Sequence, residues 1–280
     1  MIEVIKQGLR SSLQDEGRFG YRDQGVPLSG AMDHYAFHLG NHLLGNEKGT
    51  VVIEMMLQGP ELYFTKSTYI AITGAPFEAR LNGKAIPHLS RVFVPAGSNL
   101  KFKPPKYGVF GYIAVQGGIK MKPILNSLSY YPKVADDFLL SKGQKLEIKQ
   151  HSKKGGSNAK VGSQLENSDK TIDVYPGPEF HLLSRENQKD LTVANFKIGL
   201  NSSRMGYEIK HTMQLQAKEI ITSPVQPGTV QLTPSGNLIC LMRDAQTTGG
   251  YARVFQLSEN AINKISQKRN GEEIKFKICE

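Results

Sequence analysis

The 280-residue sequence has no tryptophan and only two cysteines. Cys240 lies in an apolar run and Cys279 is penultimate. With no His or Cys beside either, neither a disulfide framework nor a zinc site is indicated, and both read as structural bystanders. No stretch approaches the roughly 18 consecutive apolar residues of a membrane span. The opening Met-Ile-Glu-Val-Ile-Lys lacks the basic segment and long apolar core of a secretory signal, so a cytoplasmic location is expected. Gly-x-Gly-x-x-Gly, Walker-A and Gly-x-Ser-x-Gly patterns are missing, as is a Cys/His protease signature. These absences argue against a standard nucleotide loop and against a covalent nucleophile. His34, His38 and His42 recur every four residues, but no carboxylate stands at a matching position. They read as half-exposed surface residues, and no metal is expected.

What is present is an ordinary globular composition, 39% hydrophobic with 28 glycines and 14 prolines, and a net charge of +10. Such an excess raises nucleic acid, an acidic membrane surface or an anionic substrate as partners. Its distribution narrows the choice. Lys142, Lys145, Lys149, Lys153, Lys154 and Lys160 stand against Glu147 alone, a local excess of five and half of the total. No aromatic residue interleaves them as a base-stacking platform requires, so they read as a basic solvated segment. Neither nucleic acid nor membrane is expected as a partner.

Most of the chain reads as short β segments bounded by Gly, Pro or Asn: Glu61–Phe64, Tyr69–Thr73, Phe77–Leu81, Arg91–Val94, Asn99–Phe102, Phe110–Val115 and Gln144–Ile148. Asn82-Gly83 signals a two-residue hairpin. One early helix is expected, capped by Ser29 or Asp33 and stopped at Gly45-Asn46. The polar stretch from Ser152 to Asp169 reads as a linker. The expected organisation is therefore 1–150, a β domain with one early helix; 151–170, a basic polar linker; and 171–280, a second β domain. In that second domain Ile172–Tyr175, Thr192–Ile198, Thr229–Leu232, Leu238–Met242, Val254–Gln256 and Ile274–Ile278 read as strands and Glu259–Gln267 as a helix. Many strands at this spacing argue for a sandwich or a closed barrel.

Three clusters of polar residues and glycines could carry chemistry. The first, Gln14 to Asp33, sets Arg18, Arg22, Asp15 and Asp33 on a glycine-bearing loop suited to a polar ligand, or to charges that pair with one another. The second, Arg243 to Tyr251, follows an apolar strand and combines a guanidinium, hydroxyls, an amide and paired glycines, a plausible anion pocket or a plain Gly-Gly turn. The third is Asn201 to Tyr207.

These clusters fall on the blocks Gln14-Asp-Glu-Gly-Arg-Phe-Gly-Tyr-Arg22, Gly25-Val-Pro-Leu-Ser-Gly-Ala-Met-Asp33, Ser203-Arg-Met-Gly-Tyr207 and Asp244-Ala-Gln-Thr-Thr-Gly-Gly-Tyr251. With Gly45-Asn46, Thr73-Gly-Ala75, Ala114-Val-Gln-Gly-Gly-Ile119, Tyr175-Pro-Gly-Pro178 and Pro224-Val-Gln-Pro-Gly228, the chain resembles the biotin-dependent carboxyltransferase family. That family takes in 5-oxoprolinase C subunits, KipA-like regulators and part of the carboxyltransferase domain of urea amidolyase. The resemblance runs from Ile2 to about Phe276. It implies a mainly β fold of two cyclophilin-like β-barrel domains. It further implies two partners, a KipI-like companion (the B subunit) with a lactam-binding chain (the A subunit), and ATP-dependent opening of 5-oxoproline to glutamate by the assembled complex. ATP binds somewhere in that complex, and biotin on a carrier protein is compatible with the family.

The site expected from the resemblance comprises Arg18, Arg204 and Arg243 as anion holders. Tyr21, Ser29, Asp33, Gln246, Thr247 and Tyr251 would orient the substrate, with Ser203, Gly206, Thr248, Gly249 and Gly250 lining it. The chain departs from the pattern at 126–138, where a glycine- and arginine-rich stretch of relatives is replaced by bulky and acidic residues. That departure keeps alternatives open: a regulator that sequesters a KipI-like kinase inhibitor, or a carboxyltransferase with another amide or urea substrate.

Overall fold

Alternating apolar side chains build the first strands: in Ile2–Lys6 and Glu61–Phe64 the residues Ile2, Val4, Leu62 and Phe64 are buried while their neighbours are not. The computed structural model describes residues 1–149, 169–216 and 219–279. The expected linker lies outside the described residues except for Asp169 and Lys170. The chain forms two compact units, one of Met1–Arg18 and Ser29–Asn167, the other of Phe19–Leu28 and Ser168–Glu280. The segment Phe19–Leu28, assigned above to the amino-terminal domain, therefore belongs to the second unit. There the Arg22 guanidinium donates to the Val225 carbonyl.

In the first unit a seven-stranded sheet runs in the order Ile119–Lys120, Lys145–Ile148, Ile2–Lys6, Glu61–Phe64, Ser98–Lys103, Glu78–Leu81, Lys84–Ala85. A five-stranded sheet runs Arg10–Gln14, Val52–Met56, Phe110–Val115, Thr68–Gly74, Arg91–Val94. Ile2, Val4, Leu62 and Leu100 of one and Leu13, Ile53, Ile72 and Ile113 of the other share a single core. This unit thus encloses its interior with two sheets. Helix α1 (His34–Leu44) packs on the five-stranded sheet. The approach is close at Gly40, where an added Cβ would lie 3.2 Å from both Ala114 Cβ and Thr73 Oγ1. All six residues of Phe110–Val115 are buried because the core covers one face and α1 the other. The Asn82-Gly83 hairpin forms with φ of 49° and 82°.

The second unit is a closed barrel in the order Thr171–Pro176, Ala252–Leu257, Thr229–Leu232, Leu238–Leu241, Gly206–Lys210, Phe196–Ile198, Glu273–Ile278. The first and last strands pair in parallel and close it. Phe196, Phe255 and Phe276 pack with ring centroids 4.9 and 5.2 Å apart at its centre. Helix α2 (Arg185–Val193) replaces the start of the strand expected over Thr192–Ile198. Its periodicity is invisible because Leu191 alone is buried, while Ser184 caps it by accepting from the Asn187 amide at 3.1 Å. Helix α3 (Glu259–Ser266) stands as expected. Among the described residues no helix is long and apolar enough to cross a membrane.

Candidate functional site

The first polar loop divides between the units. In the first unit Asp15 is a hub: its carboxylate accepts from Ser129 Oγ at 2.5 Å, the Leu128 amide at 2.6 Å, Ser127 Oγ at 2.7 Å and the Gly17 amide at 2.9 Å. Arg18, fully buried, donates to the carbonyls of Ser129 at 2.6 Å and Ile124 at 3.3 Å. Between these anchors Ile124 and Ser127 exchange backbone hydrogen bonds, and Leu125 and Asn126 take φ of 49° and 60°. Paired positive φ values mark a type I′ turn, which favours Asn and Gly and is unfavourable for Leu. The divergent 126–138 stretch thus begins in a turn gripped by two charged residues of the opening motif.

The segment 29–33 is built as tightly. Ser29 and Gly30 are consecutive left-handed residues, φ 58° and 91°. A Cβ on Gly30 would lie 2.9 Å from the Glu16 carbonyl oxygen, so only glycine fits. The next three amides donate in turn to the Asp15 carbonyl at 3.0 Å, Glu54 Oε2 at 2.8 Å and Tyr112 Oη at 2.8 Å. Tyr112 donates its own proton to Glu54 Oε2 at 3.0 Å. Burial, reinforced by the charges of Glu54 and Asp33, pushes the Tyr112 phenol well above its ordinary pKa, so it stays protonated. Asp33 caps α1 by accepting from the Ala36 amide at 3.0 Å. Ser29 is 1% exposed, and its Oγ has no hydrogen-bond partner among the described residues.

In the second unit the loops 203–207 and 243–251 meet. Arg204 Nε and Nη2 bind Asp244 Oδ2 and Oδ1 at 2.8 and 3.0 Å, both residues buried. The Asp244 amide donates to the Arg204 carbonyl at 2.8 Å. Arg243 reaches Glu259 at 2.5 Å and Asn263 at 3.1 Å, which ties the loop to α3. Ser203 Oγ accepts from the Met205 amide at 3.2 Å, and Gly206 begins a barrel strand. The Thr247 carbonyl accepts from Val225, the Gly250 carbonyl accepts from Ile220, and Thr248–Gly249 pairs with Ser223–Pro224. Buried Gln231 donates to the Tyr251 carbonyl and accepts from Gln246 Nε2, both at 3.5 Å. Tyr21 is half-buried and precedes the 3-10 turn Arg22–Gln24.

The three arginines expected to hold a substrate anion are each engaged within the chain: Arg18 by carbonyls, Arg204 by Asp244, Arg243 by Glu259 and Asn263. Each of these guanidiniums braces a loop within its own unit. Sequence reasoning missed Glu54 and Tyr112, although a lone carboxylate inside Val51-Val-Ile-Glu-Met-Met was a usable signal. It also missed Arg253, which binds Glu179 through Nη2 at 2.7 Å and Nε at 2.8 Å. Several of the glycine- and asparagine-bearing blocks are structural devices. Asn46 bridges the Val115 carbonyl and the Gly117 amide at 2.9 and 2.8 Å. Gly177 lies where a Cβ would come 2.8 Å from the Arg253 carbonyl carbon.

The model for the carboxyltransferase domain, subdomain A and B, matches residues 24–278. The chain is 33% identical to the 5-oxoprolinase C subunit of Escherichia coli over 100% of its own length and 91% of that protein. The corresponding Haemophilus influenzae protein is 34% identical over 99% and 90%. Urea amidolyase of Saccharomyces cerevisiae is 40% identical over 131 residues, 46% of this chain and 7% of that protein. Among solved structures, that of TTHA0988 superposes with a TM-score of 0.90 at 29% identity, covering 99% of this chain and 55% of that one. Kluyveromyces lactis urea carboxylase superposes at 0.89 with 25% identity, over 98% and 27%. The chain therefore spans about half and about a quarter of the length of those two solved chains. With a matching model over most of its length and whole-chain relatives above 30% identity, the chain belongs to the family of carboxyltransferase domains with subdomains A and B.

Proposed function

We propose that this chain is the C subunit of an ATP-dependent 5-oxoprolinase, a hydrolase that opens 5-oxoproline to glutamate in complex with two further chains, the KipI-like B subunit with the lactam-binding A subunit. The observation that carries this reading is the whole-chain similarity to proteins named as 5-oxoprolinase C subunits. Opening a lactam needs water to add at the carbonyl carbon and the C–N bond to break, with negative charge growing on the carbonyl oxygen. Preorganised donors lower that barrier. Ser29 Oγ, buried and without an internal partner among the described residues, is suited to hydrogen-bond a lactam or urea carbonyl. The loop arginines do not fit a triphosphate, because each is engaged within the chain. ATP is accordingly proposed to bind the companion subunits. Carrier-borne biotin belongs to the alternative in which the same carbonyl site serves carboxyl transfer to another amide or urea.

The internal engagement of those arginines also favours a second reading, a KipA-like regulator that binds a KipI-like kinase inhibitor without chemistry. Co-expression with the two companion subunits, followed by an assay of ATP-dependent glutamate release from 5-oxoproline, separates the readings. Turnover that needs all three chains is expected. A well-formed complex without turnover would transfer the assignment to the regulator.

A further inference from the structure

The five-stranded sheet places a carboxylate and a phenol side by side where apolar residues would pack more cheaply. Glu54 and Tyr112 are direct cross-strand partners on Val52–Met56 and Phe110–Val115. Both are buried, and their side chains bond to each other at 3.0 Å. Each also captures one amide of the same short segment, Met32 at 2.8 Å and Asp33 at 2.8 Å. One residue, Ala31, separates those amides from Ser29 and Gly30, two left-handed residues in succession. A serine held at φ 58° with a buried hydroxyl lacking a partner among the described residues is a strained arrangement. Such an arrangement persists only where its surroundings over-determine it, and it is the pattern expected of a ligand-facing group.

We infer that Glu54 and Tyr112 are positioning residues, a buried pair that fixes the Met32 and Asp33 amides and thereby holds the Ser29 hydroxyl toward the carbonyl of a cyclic amide or urea. The link runs through the backbone: fixing two adjacent amides sets the direction in which the chain leaves Gly30, and with it the side of the turn on which Ser29 Oγ lies. Tyr112 is the element that both accepts and donates, so removing its oxygen cuts the path at two points. Glu54→Gln is milder, since an amide oxygen can still accept from Met32. The inference rests on reading Ser29 as the group that meets the substrate carbonyl.

Two measurements test it. In Tyr112→Phe, hydrogen exchange at the amides of residues 31–33 is expected to rise roughly tenfold, as for loss of one net hydrogen bond, with the barrel strand Thr229–Leu232 unchanged. Unchanged exchange at 31–33 overturns the inference; should Tyr112→Phe fail to fold, Glu54→Gln gives the same reading with a smaller rise. In the assembled complex Tyr112→Phe is expected to lower kcat roughly tenfold to a hundredfold with KM little changed, and to cost nothing further in a Ser29→Ala background. Losses that simply multiply would mark the pair as structural alone. A wild-type complex that leaves 5-oxoproline intact would sink the proposed function, while the exchange result would still decide whether the pair holds the turn.

Discussion

At the scale of single residues, the charged side chains that look most like ligand holders are the ones most deeply engaged inside the fold. Asp244→Ala would strand Arg204, 3% exposed, without its bidentate partner. A loss of about 3–5 kcal/mol is expected in urea unfolding. The double change Arg204→Met with Asp244→Leu should recover most of it, because no charge is then left buried. Equal losses in the single and double variants would refute the structural assignment. Asp15→Ala would remove an acceptor shared by two hydroxyls and two amides. It should cost about 3 kcal/mol and loosen residues 124–129 first, seen as local protease sensitivity. The residue types of both clusters are plain in the sequence, but their partners are not. Arg204 and Asp244 are 40 positions apart, and Asp15 and Ser129 are 114 apart.

Among elements, glycine and cap positions separate local rules from tertiary ones. Asp33→Ala removes the α1 cap and should lower stability by about 1 kcal/mol. Gly83→Ala, in a hairpin with nothing within 4 Å of the new Cβ, carries only the strain of φ 82°, about 1 kcal/mol. Gly177→Ala should cost clearly more although its φ is unremarkable, because the new Cβ would press on the Arg253 and Val254 backbone. Thermal midpoints of the two glycine variants, compared side by side, check this order, and a milder Gly177→Ala would contradict the close approach. The hairpin and the α1 cap follow from sequence because their cause is local. The polar strand Arg10–Gln14 and helix α2 do not, since the first buries Ser11, Ser12 and Gln14 and the second buries Leu191 alone.

For the whole molecule, pH should reduce stability in two stages. Burial lowers the His88 pKa from 6.5 to about 4, against a hydrogen bond to the Thr73 backbone that raises it. The unfolded chain therefore binds a proton before the folded one does, and stability falls as pH drops from 6.5 to about 4. Asp169 is held below its ordinary pKa by a hydrogen bond from Lys264, and Glu179 by one from Arg253. Their contributions are present above the ordinary carboxylate range and vanish as pH falls through the lowered folded values. Urea midpoints measured from pH 7 to pH 3 should show both stages, and His88→Gln should flatten the first and spare the second. A slope unaltered by that substitution would rule out His88 as its origin. The excess of +10 belongs to this scale as well. Half of it clusters between Lys142 and Lys160 without interleaved aromatics, so an oligonucleotide should show no tight binding by fluorescence anisotropy at physiological salt.

Strand spacing and turn chemistry determine by themselves that the protein is mainly β, because they are local properties written in consecutive residues, and the ordered blocks from Gln14 to Tyr251 carry its resemblance to the family. Which polar groups remain available to a ligand is decided only by the tertiary structure. Burial in a medium of low dielectric obliges each charge to find a partner, and those partners come from other strands, loops and a helix: Glu54 and Tyr112 behind the 29–33 turn, Asp244 against Arg204, Glu259 of α3 against Arg243. The residues that looked most reactive are thereby engaged, and Ser29 is left with a buried hydroxyl that has no partner among the described residues.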